Sequence, residues 1–327
     1  MAKNNGEKNN QEKKRTSKGR NKGITVASIV LVLLAVLTTN PGAQIGSALT
    51  SNENLPYLRD KNALQEVQVG DINMSYRMFG KGEPIVLIHG YGGSMDIWDP
   101  TLLNDLAQNR TVIVFNNRGV GNTTLGEKNY SIEQLAEDTA GLLDVLGIKS
   151  VNVLGWSMGG MIAQELALNH PDKVNRLILY GSTCGGNEYV LPEQEVSSAF
   201  ADKSGTASER VARITPFLFP EEWREADPNY YMAFPKSTQL TSNQTLSLEL
   251  NAALSWKGSC ERLQQIYRPA LVVVGTDDSM IPPANSLTIA ERIPGAWLVQ
   301  IEDGGHGLMY QYPEKVSKMV LTFLETR

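Results

Sequence analysis

Val151-Asn152-Val153-Leu154-Gly155-Trp156-Ser157-Met158-Gly159-Gly160 is the stretch from which the fold is read. A short apolar run, suited to a strand buried on both faces, leads into a Gly-x-Ser-x-Gly pentad. A helical pattern follows from Met158 to Asn169 and stops near Pro171. Strand, tight turn and helix together raise the Ser157 hydroxyl above the strand end. Gly155 and Gly159 lack side chains, so neighbouring segments can approach the strained turn. The serine also sits at a helix N-terminus, whose dipole favours developing negative charge.

The same rhythm extends in both directions. Leu64–Val69 and Ile72–Met78 alternate around Gly70-Asp71 and read as a hairpin. Pro84–Ile88, Thr111–Phe115, Val151–Leu154, Arg176–Tyr180, Ala270–Val274 and Trp297–Ile301 are short apolar runs of the buried parallel kind. Ser131-Ile132-Glu133-Gln134 reads as a capping box that opens a helix to about Leu146, with Gly147 as its stop. Pro283–Ile293 and Pro313–Glu325 are further helices with proline near the start. The order predicts an α/β fold: a mostly parallel twisted sheet with a leading antiparallel hairpin and helices on both faces. Residues 182–268 break the rhythm. They contain no clear strand but carry Trp223, Tyr230, Tyr231, Phe234 and Trp256, and they read as a helical cap inserted before the penultimate strand. With 327 residues, 41% hydrophobic, the core needs no metal or disulfide to hold it. Cys184 and Cys260 flank the cap and are expected as two free buried thiols; a bridge would staple its base.

Charge is distributed unevenly. Residues 1–22 hold eight Lys or Arg against two Glu, a net +6, so the remaining chain carries −11 of the total −5. An acidic body repels phosphate backbones, which disfavours nucleic acid as a partner. The basic residues 1–23 read as a disordered tail and residues 40–62 as a linker before a catalytic region over 63–327. Between them, residues 24–39 (ITVASIVLVLLAVLTT) are uncharged and mostly aliphatic. A basic segment followed by an apolar run is an export signature with the positive side left in the cytoplasm. As a helix these residues would span roughly 24 Å, against a hydrocarbon core of about 30 Å. The expectation is a single-pass anchor with the catalytic domain outside the cytoplasm, or a secreted domain after signal cleavage near Gly46-Ser47-Ala48.

A serine hydroxyl needs a base to act as a nucleophile near neutral pH. The chain has three histidines. His170 precedes Pro171 at a helix end, and His89 precedes Gly90 after a strand. His306 lies in Asp303-Gly304-Gly305-His306-Gly307 directly after the last strand, where glycines let the loop carry an imidazole over the sheet edge. An acid must orient that histidine. Asp277 and Asp278, after the penultimate strand, are both available, and the chain order serine, acid, histidine distinguishes this arrangement from the chymotrypsin and subtilisin orders.

Over roughly residues 64–327 these motifs resemble the α/β-hydrolase superfamily of esterases, lactonases and related enzymes. The resemblance rests on His89-Gly90-Tyr91-Gly92-Gly93, Gly155 through Gly160, Gly275 through Pro282 and Gly305-His306, in that order. It implies Ser157 as nucleophile and His306 as base. It also implies Asp278 as the acid, three residues after the glycine and four before the proline. The oxyanion hole would be formed by the backbone N–H groups of Tyr91 and Met158, leaving His89 to shape its loop. Asn116-Asn117-Arg118-Gly119-Val120-Gly121-Asn122-Thr123 is similar to a family loop that usually begins with Asp, so Asn116 removes a negative charge near the site. The implied chemistry is hydrolysis of a carboxylic ester or lactone through an acyl-enzyme, acting on a small-molecule acyl substrate without cofactor or metal. Perhydrolase, haloperoxidase-like and C–C bond hydrolysis use the same triad. A non-enzymatic small-ligand receptor is the alternative of another class, and the intact triad argues against it.

Overall fold

The computed structural model describes residues 64–326 except 227, 228, 231–233, 236, 238 and 240. The basic tail, the apolar segment 24–39, the linker and Tyr231 therefore lie outside the described residues. Among the described residues no helix is long and apolar enough to cross a membrane.

Strands β1 (Gln65–Val69) and β2 (Ile72–Gly80) form the leading antiparallel hairpin. Gly70, at φ 54°, makes its turn in a region of backbone that glycine enters without strain. There follow β3 (Glu83–Ile88), α1 (Pro100–Ala107), β4 (Arg110–Phe115), α2 (Ile132–Val145), β5 (Val151–Trp156), α3 (Met158–Asn169) and β6 (Val174–Tyr180). An insertion carries α4 (Gln194–Ala201), α5 (Ala207–Ile214), α6 (Glu221–Ala226) and α7 (Asn243–Ser255). The chain then returns through β7 (Ala270–Gly275), α8 (Pro283–Arg292), β8 (Trp297–Ile301), α9 (Leu308–Gln311) and α10 (Pro313–Glu325).

The strands make one sheet in the order β1-β2-β4-β3-β5-β6-β7-β8, with β3 through β8 parallel and β2 antiparallel to β4. This is the expected α/β architecture. Alternate residues of the central strands feed opposite layers. Val86 and Ile88 pack with Leu135, Ile162 and Ile289 of α2, α3 and α8, while Ile85 and Leu87 pack with Leu102, Val320 and Phe323 of α1 and α10. Each such fully buried aliphatic side chain contributes about 1.5–3 kcal/mol, so these two layers hold the sheet rigid beneath the site.

Two local expectations change, and the structure adds a helix. The added helix is α1, whose start Asp99-Pro100 encodes: Asp99 Oδ1 accepts from the N–H groups of Thr101 and Leu102, and proline takes the first helical position. At α2 only half of the capping box forms. Ser131 Oγ accepts from the Gln134 N–H, but the Gln134 side chain reaches forward to Asp138 at 2.8 Å. Cys184 and Cys260, expected as free thiols, form a disulfide. Glycine makes this approach possible: a Cβ at Gly258 would stand 2.6 Å from the Cys184 carbonyl oxygen, and one at Gly185 would stand 2.6 Å from the Trp256 ring. The Ser259 N–H donates to the Cys184 carbonyl at 2.8 Å, so the two ends of the insertion are joined at its base.

Candidate active site

Ser157 follows β5 directly and adopts φ 57°, ψ −122°. A non-glycine residue in that conformation stores strain, on the order of 1–3 kcal/mol, and needs surroundings that over-determine it. Those surroundings are visible. The Ser157 N–H donates to the Tyr180 carbonyl at 2.9 Å, and the Ser157 carbonyl accepts from Gly160 N–H and from Ser182 Oγ, both at 2.9 Å. A Cβ at Gly155 would fall 2.3 Å from the Gly159 carbonyl oxygen, and one at Gly159 would fall 2.0 Å from that of Ile88. Both glycines of the pentad are therefore steric requirements of the turn.

The His306 loop arrives from the end of β8. His306 Nδ1 lies 2.7 Å from Asp278 Oδ2, with both side chains almost wholly shielded from solvent. The other carboxylate oxygen, Oδ1, accepts from the N–H groups of Met280 and Ile281 at 3.1 and 2.8 Å. Asp277 points away: its side chain is exposed and its N–H donates to the Gly304 carbonyl. The His306 carbonyl accepts from Tyr180 Oη at 2.6 Å and from Trp156 Nε1 at 3.2 Å, and Trp156 stacks on Tyr180. Gly181 passes directly behind the pair. With φ 52°, and with any Cβ 3.1 Å from His306 Nδ1 and 3.2 Å from Asp278 Oδ2, it admits no larger residue without displacing them. Tyr180, Trp156 and Gly181 as supports of His306 were missed in the sequence. Their only local signal is a glycine immediately after a strand.

The other two histidines lie elsewhere. His89 is completely buried; its Nε2 accepts from the Asn117 N–H at 3.3 Å, and its Nδ1 faces the Gly90 carbonyl at 3.0 Å. Burial pushes its imidazole down to about 4, so it stays neutral and shapes the loop. His170 meets Glu137 at 2.8 Å near the surface. Asn116 is buried at the edge of the site. Its Oδ1 accepts from Met95 N–H at 2.7 Å, and its Nδ2 donates to Ser75 Oγ and Gln239 Oε1 at 3.0 and 3.2 Å. A carboxylate here would have no hydrogen to donate and would face the Gln239 oxygen, so the amide suits this environment better than the usual aspartate.

Ser157, His306, Tyr91 and Met158 line one cavity of about 890 Å³. Gly90 presses against the serine; a Cβ there would come within 2.9 Å of Ser157 Cβ. The insertion covers this cavity with Phe200, Val211, Ile214, Leu250 and Trp256, and no Lys, Arg, Asp or Glu is among the described residues that line it. Such a chamber, mostly apolar but with hydroxyls such as Ser94, Thr183 and Ser237 in its wall, suits an uncharged, largely apolar ligand. Among the described residues no cluster of His, Cys, Asp or Glu is arranged to hold a metal ion.

The model of the alpha/beta hydrolase fold family matches residues 83–313, more than half of the chain. The chain belongs to the alpha/beta hydrolase fold family. Within this family it is 31% identical over 243 residues to a poly(3-hydroxyalkanoate) depolymerase of Ectopseudomonas oleovorans, covering 74% of this chain and 84% of that one. It is 30% identical over 259 residues to a candidate carbamate hydrolase, RutD, of Azorhizobium caulinodans, covering 78% and 96%. Among solved structures, the esterase RhEst1 of Rhodococcus sp. ECU1013 superposes with a TM-score of 0.68 at 26% identity, over 80% of this chain and 98% of that one. The chain is thus an α/β-hydrolase of the ester-acting kind.

Proposed function

We propose that this hydrolase cleaves an uncharged carboxylic ester or lactone with an apolar acyl part, by two-step acyl transfer. The observation that carries the reading is the His306–Asp278 pair, 2.7 Å apart, in the wall of the cavity that Ser157 also lines. Ser157 attacks the carbonyl while His306 takes its proton. The N–H groups of Tyr91 and Met158 hold the oxyanion, worth several kcal/mol when aimed at the tetrahedral intermediate. His306 then protonates the leaving group and later activates water, while Asp278 stays ionised. A free carbamate ion is a poorer match, because its negative charge would meet no Lys or Arg among the described lining residues. A polyester-cleaving relative supports an ester with an aliphatic body. In a panel of p-nitrophenyl esters from acetate to dodecanoate, kcat/KM is expected to rise with acyl length well beyond acetate. A fluorophosphonate is expected to label Ser157 stoichiometrically. A preference for acetate, or labelling at another residue, counts against the reading.

The domain is proposed to work outside the cytoplasm, held by residues 24–39 as an uncleaved anchor. The Cys184–Cys260 bridge supports an oxidising compartment. Full-length chain in the membrane fraction of cells is the expected result; a soluble product beginning after about residue 48 would exclude the anchor.

A further inference from the structure

Glu249 stands in α7 with none of its surface exposed. Its Oε2 accepts the Gly92 N–H at 2.9 Å across 157 residues of chain, and its Oε1 has no hydrogen-bond partner among the described residues. Gly92 directly follows Tyr91. Its backbone is at φ 68°, and the space a Cβ would enter is closed by Leu246 and Val211 at 3.3 Å. The insertion also touches Tyr91 itself, through the Phe200 ring and through Arg210 donating to Tyr91 Oη at 3.5 Å, and Thr241 Oγ1 donates to the Gly93 carbonyl at 3.4 Å. The Phe200 and Arg210 contacts hold the Tyr91 side chain, whereas Glu249 holds the backbone at Gly92.

We propose that Glu249 is a positioning residue for the oxyanion hole: from the cap it fixes the Gly92 peptide and thereby the direction of the Tyr91 N–H. This rests on the reading of Tyr91 as an oxyanion donor. The bond unites cap and oxyanion loop, so the hole is formed fully only when α7 is seated.

The carboxyl is also poised to respond to pH. Burial raises its pKa to about 8, against the opposing pull of the Gly92 N–H. The groups around it are Tyr91 from the loop, Arg210 from α5 and Tyr130 ahead of α2. Both phenols are held neutral by burial. Arg210 directs its guanidinium to the Asn243 carbonyl, Ser247 Oγ and Tyr91 Oη, while Arg118, behind Tyr130, is engaged by Asp138 and Asp71. At neutral pH Glu249 is therefore mostly protonated and adds no charge near the developing oxyanion. Above about pH 8 it ionises, and a negative charge one residue from the donor opposes the tetrahedral intermediate. The stability linkage has the matching sign. A carboxyl whose folded pKa exceeds its ordinary value of 4.5 stabilises the fold fully below pH 4.5 and loses that contribution as the pH rises to about 8.

The test uses the whole protein, with kcat and KM on p-nitrophenyl butyrate from pH 6 to 9.5 and Tm across the same range. Glu249→Gln keeps an oxygen for Gly92 and cannot ionise; Glu249→Leu keeps the approximate volume and removes the grip. Glu249→Leu is expected to lower kcat on the order of 10- to 100-fold, up to the loss of one oxyanion donor, with KM little changed. Glu249→Gln is expected to retain kcat at pH 7 and to lose the wild-type decline above pH 8, and its Tm is expected to fall less between pH 6 and 8. Wild-type kcat in a well-folded Glu249→Leu, or an unaltered alkaline decline in Glu249→Gln, overturns the proposal. If Glu249→Leu does not fold, Glu249→Ala is read in its place for kcat and KM, because the Glu249→Gln profile tests only the response to pH. Loss of activity in Ser157→Ala beside unaffected Glu249 variants refutes the role of Glu249 only. Full activity in Ser157→Ala removes the oxyanion reading and this proposal together.

Discussion

Replacing Ser157 with alanine is expected to lower kcat on the order of 10⁴-fold or more, leaving only what the oxyanion donors and substrate binding supply. In free energy this is about 5.5 kcal/mol of transition-state stabilisation, far above what a rearranged cavity wall would cost. The substitution should be nearly silent in stability. Ser157 makes its structural hydrogen bonds through its N–H and carbonyl, which alanine keeps. The φ of 57° is no harder for alanine than for serine. Single-turnover assays on p-nitrophenyl butyrate, with Tm in parallel, check both halves. Full activity in the variant would refute the acyl-enzyme mechanism.

The second large effect separates two adjacent carboxylates. Asp278→Asn is expected to lower kcat by roughly 10⁴, whereas Asp277→Asn should stay within about threefold of wild type. The reason is the fixed orientation of the Asp278 side chain. Its Oδ1 accepts two backbone N–H groups, from Met280 and Ile281. An asparagine would keep its oxygen at those donors and turn its NH2 toward His306 Nδ1. The imidazole would then have to accept at Nδ1 and carry its proton at Nε2, the tautomer that cannot take a proton from serine. Asp277 faces solvent, and its backbone bond to Gly304 survives the substitution. Steady-state kinetics on both variants at matched pH decide the point, and the reverse ranking would shift the orienting acid by one residue.

Much of this site is legible in the sequence. Gly155 and Gly159 announce a close-packed turn because the constraint is local: a few residues, one strand end and one helix start. Helices Met158–Asn169 and Pro313–Glu325 carry their boundaries in nearby prolines and in apolar spacing. Short helices of the insertion are not legible individually, since α4 to α6 hold six to eight residues each, too few to be stable without tertiary packing. Gly181 and Tyr180 carry almost no local signal, because what they restrain arrives from more than a hundred residues later.

The α/β order of elements, the turn that presents Ser157 and the loop that carries His306 are all written in local stretches of the chain. Strand burial, turn geometry and glycine placement are properties of contiguous residues. The remaining pairings come from folding in three dimensions. It seated the Asp278 carboxylate, to which the Gly275-to-Pro282 spacing already pointed, against an imidazole 28 residues away, and it joined Cys184 to Cys260 across 76. It also placed the Glu249 carboxyl on the Gly92 N–H across 157. Those pairings depend on how the sheet, its two helical layers and the cap close on one another. That closure follows from the burial of the whole core and has no signature in any short stretch of chain.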